Sequence, residues 1–211
     1  MQQKSHAILY VFSFEKSSSR KPKATYRGKK LLKKMGEFHM GKNAMTTDFL
    51  KECISDSLLK LMKDKEYSKI TINEITDGAN VNRSTWFRNY TTKNEALTFK
   101  LVQLWNRWAD EHELLERHRY TIDNAKDFFL FNYENRQILS RICEAYLQSA
   151  IYDAFYQVMM PQFGADAEEC YKSRFYSYGL FGLLDEWVRR EFFETPEEMT
   201  RLFYKMMGAD V

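Results

Sequence analysis

The chain has 211 residues, 44% of them hydrophobic and 29% charged, with a net charge of +3. That is enough to bury the core of one or two compact domains, and too nearly neutral for a protein that coats DNA over its whole surface. Three prolines and eight glycines favour long helices over a turn-rich β protein.

The charge is unevenly spread. Residues 1–45 hold eleven Lys/Arg against two Asp/Glu, residues 46–97 hold eight of each sign, and residues 98–211 hold thirteen against nineteen. The first segment lacks sustained periodicity and includes Ser17-Ser18-Ser19-Arg20-Lys21-Pro22-Lys23, so it reads as a basic, disordered leader. Met35, Met40 and Met45 are candidate internal starts, and a basic arm lying along DNA phosphates is the alternative role. The apolar run Ala7 to Phe14 is too short to cross a bilayer and no small-residue cleavage site follows it. Cys53, Cys143 and Cys170 are odd in number and far apart, against a disulfide framework or zinc site. A cytoplasmic protein with no membrane partner is expected.

Residues 46–97 are expected to form a compact helical unit. A first helix from about Thr47 to Glu66 places Leu50, Ile54, Leu58, Leu61 and Met62 on one face. Thr71-Ile72-Asn73-Glu74 is a capping box for a short second helix, continued inward by Ile75 and Ala79. Asn80 tolerates the left-handed backbone of a sharp turn. Asn82 then caps a third helix, with Val81 and Trp86 spaced as a hydrophobic staple, ending near Tyr90. Thr92-Lys93-Asn94-Glu95 opens a fourth helix, carrying Leu101, Leu104, Trp105 and Trp108 to about Glu116. Two short helices joined by a tight turn and braced by longer ones make a helix-turn-helix.

Residues 98–211 continue as helices over roughly 122–134, 136–147, 148–160 and 167–193, with Pro161 and Gly164 breaking the run. Thr195-Pro196-Glu197-Glu198 starts the last helix with cap, proline and closing glutamate. The expected fold is all-α, with about nine helices.

The stretch from Thr71 to Tyr90, Thr-Ile-Asn-Glu-Ile-Thr-Asp-Gly-Ala-Asn-Val-Asn-Arg-Ser-Thr-Trp-Phe-Arg-Asn-Tyr, followed by Lys93, resembles the DNA-binding signature of the TetR/AcrR family of transcriptional regulators. Tyr178-Gly179-Leu180-Phe181-Gly182 through Trp187, with Thr195-Pro196-Glu197-Glu198, is similar to the last two helices of some members. The resemblance implies an N-terminal three-helix DNA-binding domain followed by a helical ligand-binding and dimerisation domain. It also implies a homodimer on a palindromic double-stranded DNA operator. Thr71, Asn82, Arg83, Ser84, Thr85, Phe87, Asn89 and Lys93 would form the DNA contacts. Arg83 is the first candidate to read a base, because its fork matches guanine O6 and N7. Thr71 and Lys93 would grip phosphates. Tyr178, Phe181, Leu184, Trp187, Met199 and Phe203 would build the dimer interface.

Four positions depart from the family pattern: Asn80 replaces a glycine, Phe87 a tyrosine and Asn89 a histidine, and Lys93 stands one residue farther from Leu97. Trp105, Trp108, Phe128, Tyr146 and Phe155 are candidates for a small-molecule effector pocket, though aromatic stripes also serve as plain core. Ile75, Trp86 and Tyr90 read as core. His112 and His118 are spaced off a common helical face, so neither metal nor cofactor is expected. No glycine-rich phosphate loop, nucleophile elbow or metal-spaced set points to an enzyme. The leading expectation is a ligand-responsive repressor; a co-activator or adaptor whose C-terminal domain docks a protein partner is the alternative.

Overall fold

The computed structural model describes residues 42–114, 124–159 and 166–208. The leader up to residue 41, His118, the Pro161–Gly164 break and the expected helix ends at Glu116 and 160 lie outside them. Among the described residues nine α-helices follow one another with no strand between them: α1 (Lys42–Leu61), α2 (Ile72–Gly78), α3 (Arg83–Asn89), α4 (Lys93–Glu111), α5 (Ala125–Glu134), α6 (Arg136–Glu144), α7 (Gln148–Val158), α8 (Ala167–Arg189) and α9 (Pro196–Met206).

α1 stops five residues earlier than its charged continuation predicts. The chain turns at Met62 and makes a 3-10 turn over Tyr67–Lys69. That turn brings Ile70 back into the cluster of Ile54, Leu58, Ile75, Trp86 and Leu97, and the burial outweighs the helix propensity of Lys63 to Glu66.

The caps of α2 form as the sequence predicts. Thr71 Oγ1 accepts from Glu74 N at 3.3 Å, and the Glu74 carboxylate accepts from Thr71 N at 2.9 Å. α2 lies close against α1 at Gly78, where a Cβ would run into Ser57 Oγ. Asn80 takes φ 53°, the left-handed turn between α2 and α3. Asn82 is the N-cap of α3 without a side-chain bond to it. Val81 is partly buried against the cluster that holds Trp86.

Thr92 caps α4, accepting from Glu95 N at 3.2 Å, while the Glu95 carboxylate reaches Thr91 N at 2.7 Å, one residue before the expected partner. Buried residues lie along two sides of α4. Ala96 and Leu97 belong to the N-terminal cluster, and Leu101 to the larger cluster of Phe129, Ile142, Ile151, Leu184 and Trp187. Thr98 Oγ1 donates to Ala150 O on α7 at 3.3 Å. Lys100 Nζ meets Glu52 at 2.9 Å and Asp56 at 2.7 Å on α1, and Arg107 pairs with Glu52 as well. α4 therefore joins the helix-turn-helix unit to the rest of the molecule.

α8 ends at Arg189 rather than Phe193. Glu191 and Phe192 adopt left-handed backbone, φ 57° and 55°, which turns Phe192 back into the core beside Trp187. Trp187 Nε1 donates to Glu194 O at 3.0 Å, closing the corner. Thr195 and Glu198 then form the capping box of α9 around Pro196.

Candidate DNA interface and effector cavity

α3 is amphipathic over only seven residues. Its inner side, Thr85 and Trp86, is held by Tyr90 just beyond the helix: the Trp86 and Tyr90 rings lie 5.4 Å apart, and Tyr90 Oη donates to Lys51 O on α1 at 3.0 Å. The outer side presents Asn82, Arg83, Ser84, Phe87 and Arg88 to solvent. Phe87 is 61% exposed, a large apolar side chain left in water on the same face as two guanidinium groups. Arg83 lies over its ring, with 5.4 Å from guanidinium carbon to centroid. Without the phenolic oxygen of a tyrosine, the Phe87 side chain offers no hydrogen bond, only apolar or ring-face contact.

Several expected contact residues are placed differently. Thr85 is buried, so its side chain packs beneath α3 instead of joining the outward face. Asn89 is half-buried and its Nδ2 donates to Thr85 O at 2.7 Å, one turn back. Thr71 is exposed at the start of α2, with its hydroxyl bonded to Glu74. The Glu74 carboxyl is held down at about 2, by the Lys65 ammonium at 2.6 Å first and by the Thr71 amide and hydroxyl next.

Lys93 has a built environment of its own. Its ammonium donates to Tyr67 O at 2.7 Å and Ile70 O at 2.9 Å, and stands 4.2 Å from the centre of the Tyr67 ring. Burial pulls its pKa below the usual lysine range. In this conformation Lys93 ties the start of α4 to the 3-10 turn after α1 instead of reaching outward. Arg88 is the outward residue the sequence reading passed over. Its guanidinium folds along α3 to Ser84 O and Oγ at 3.3 Å, and the helical spacing from Ser84 was the available signal.

Between α4, α5 and α7 lies an apolar cavity of ≈ 40 Å³. Trp105, Phe128 and Phe155 line it, joined by Leu101, Phe131 and Ile151. Phe128 and Phe155 meet edge to face at 5.4 Å, as do Trp105 and Phe131 at 5.1 Å. Trp108 stands beside the cavity rather than in its wall. Its indole N–H donates to Glu134 at 2.7 Å and its ring stacks on His112, which draws it out of the lining. Tyr146 is 88% exposed; it takes the left-handed position after α6, φ 60°, which turns its side chain away from the core.

The expected dimer residues divide in two. Leu184, Trp187, Met199 and Phe203 are buried in the chain's own core, so none is left to meet a partner. Phe181 is partly buried, and Tyr178 is exposed. Tyr178 stacks on Tyr152 of α7 at 4.3 Å, and the Tyr152 hydroxyl accepts from Arg174 at 2.6 Å. The apolar face that α8 leaves in solvent runs through Tyr171, Phe175, Tyr178 and Gly182 at helical spacing, and α9 adds Leu202 and Met206.

Among the described residues no helix is long and apolar enough to cross a membrane, and no group of three or more His, Cys, Asp or Glu is placed to hold a metal ion. No curated protein matches the chain in sequence. Residues 111–208 match a TetR-type family described as a transcriptional regulator C-terminal region. This match covers the helical domain carrying α5 to α9, while the helix-turn-helix lies on the N-terminal side of it. The match and the helix-turn-helix beside it together support a TetR-family transcriptional regulator.

Proposed function

We propose that the protein is a cytoplasmic, ligand-responsive repressor that binds a palindromic operator as a homodimer. The observation that carries this reading is the outward face of α3, where Arg83, Ser84, Phe87 and Arg88 stand exposed on a helix anchored by Trp86 and Tyr90. A major groove admits such a helix, and the Arg83 fork fits a guanine edge. The exposed stripe of α8 and α9 supports a four-helix dimer interface. Gly182 has open space beyond its Cα, which permits close approach of a second backbone. Two recognition helices then read half-sites about 34–36 Å apart.

A small-molecule effector is favoured over a docked protein by the aromatic cavity, whose wall includes Leu101 and Trp105 of the same α4 that braces the helix-turn-helix. A ligand that shifts α4 would favour a spacing that no longer fits the operator.

Gel shifts with DNA flanking the protein's own coding region test the proposal. The dimer should prefer particular sequences and weaken steeply with salt. Arg83→Ala should lose about 1–3 kcal/mol of discrimination per half-site without lowering the melting temperature. A protein that binds all DNA alike, or none at low salt, would refute it.

A further inference from the structure

The cavity wall includes a residue with a polar atom whose needs the described residues do not meet. Asn132, on α5, is fully buried and lines the cavity. Its Nδ2 donates to Phe128 O at 2.8 Å, which fixes the orientation of the amide. Its Oδ1 has no hydrogen-bond partner among the described residues. Buried side-chain acceptors are nearly always satisfied, so an orphaned one in a residue of the cavity wall marks a place where an incoming molecule can supply the donor once the wall gives way.

The remaining wall restricts what that can be. Among the described lining residues Asn124, Asn132 and the Trp105 indole bring polar atoms, and none of the lining residues carries an ionisable group. The described wall is largely aromatic and aliphatic and offers an ion no counter-charge, which favours a neutral ligand. We infer that the cavity binds a neutral, compact, largely apolar molecule bearing a hydroxyl or N–H that donates to Asn132 Oδ1. Phenols and short-chain alcohols are of this class. The inference rests on the proposed sensing role of the C-terminal domain and specifies the chemistry of its ligand.

Size adds a second constraint. An aromatic ring needs a cavity of roughly 150 Å³, well above the space present here. A ring-sized ligand must therefore displace part of the wall, and Trp105 on α4 is the largest side chain in it.

The experiment uses the full chain with phenol, toluene and benzoate, three single-ring probes bearing a donor, a methyl group and a charge. Melting-temperature shifts and calorimetric titration rank their affinities. Wild type should bind phenol more tightly than toluene and benzoate least, with a change in tryptophan fluorescence on phenol binding. Asn132→Leu should reverse the phenol and toluene order, a swing of about tenfold in the ratio of dissociation constants. Toluene equal to or tighter than phenol in wild type, benzoate as tight as phenol, or no phenol binding would each overturn the inference. Should Asn132→Leu fail to fold, the wild-type ranking decides alone. A gel shift run in parallel separates the two readings. Sequence-preferring DNA binding without a phenol response sinks this inference only, and a phenol preference without DNA binding sinks the regulator proposal only.

Discussion

The Lys100 joint between α1 and α4 yields an asymmetric prediction. The Lys100 side chain is only 8% exposed, whereas its partners Glu52 and Asp56 keep 27% and 54% of theirs. The cation has left water almost completely, while Glu52 keeps about a quarter of its exposure and Asp56 about half. Lys100→Met keeps most of the packed stem and removes the buried ammonium. Glu52 retains Arg107, and Asp56 turns to solvent, so the loss should be about 1 kcal/mol. The opposite cut, Glu52→Gln with Asp56→Asn, strands the ammonium without a counter-charge and should cost about 3–5 kcal/mol. Adding Lys100→Met to that double variant should recover most of the loss. Urea unfolding followed by tryptophan fluorescence measures all three, provided the m-values agree. The reasoning fails if Lys100→Met costs as much as the double variant, or if the triple variant is no more stable than the double.

Lys93→Met removes a cation that satisfies two carbonyls, so it should lower stability by about 1–2 kcal/mol and leave the salt slope of DNA binding nearly unchanged; a shallower slope at unaltered stability would identify a phosphate contact instead. Glu74 and Glu52 both have carboxyl groups held below their ordinary range, so their contribution is present above about pH 4.5 and lost as pH falls through the folded values, about 2 for Glu74. Glu74→Gln should flatten the melting-temperature profile between pH 5 and 2, and an unchanged profile would contradict the pairing with Lys65. Gly182→Glu places a charge on the exposed α8 stripe and should yield a folded monomer by light scattering that no longer binds a two-half-site operator.

Local chemistry was legible in the sequence. The capping boxes at Thr71 and Thr195 need residues only three apart, and the left-handed turn at Asn80 follows from a single residue type. What depended on distant partners was not. The role of Lys93 is set by carbonyls 26 and 23 residues away, delivered by a 3-10 turn that the charged run after Leu61 conceals. α8 is apolar on two faces, and periodicity alone cannot say that Leu184 and Trp187 turn inward while Phe175 and Tyr178 turn out. Tyr146 looked like one more aromatic of the helical stripe until the chain reversed beneath it. The cavity was anticipated from its rings, yet Asn132, its most telling residue, sits in an apolar run where nothing marks it.

α4 has the proportions of a lever. Its 19 residues span about 28 Å. Trp105 lies twelve residues from Lys93, about 18 Å along the rod. A tilt of roughly 10° at the level of Trp105 would carry the Lys93 end sideways by about 3 Å, and a symmetric pair would alter the separation of its reading heads by about twice that. Since Lys93 grips the 3-10 turn and Lys100 grips α1, the whole headpiece must ride with the rod.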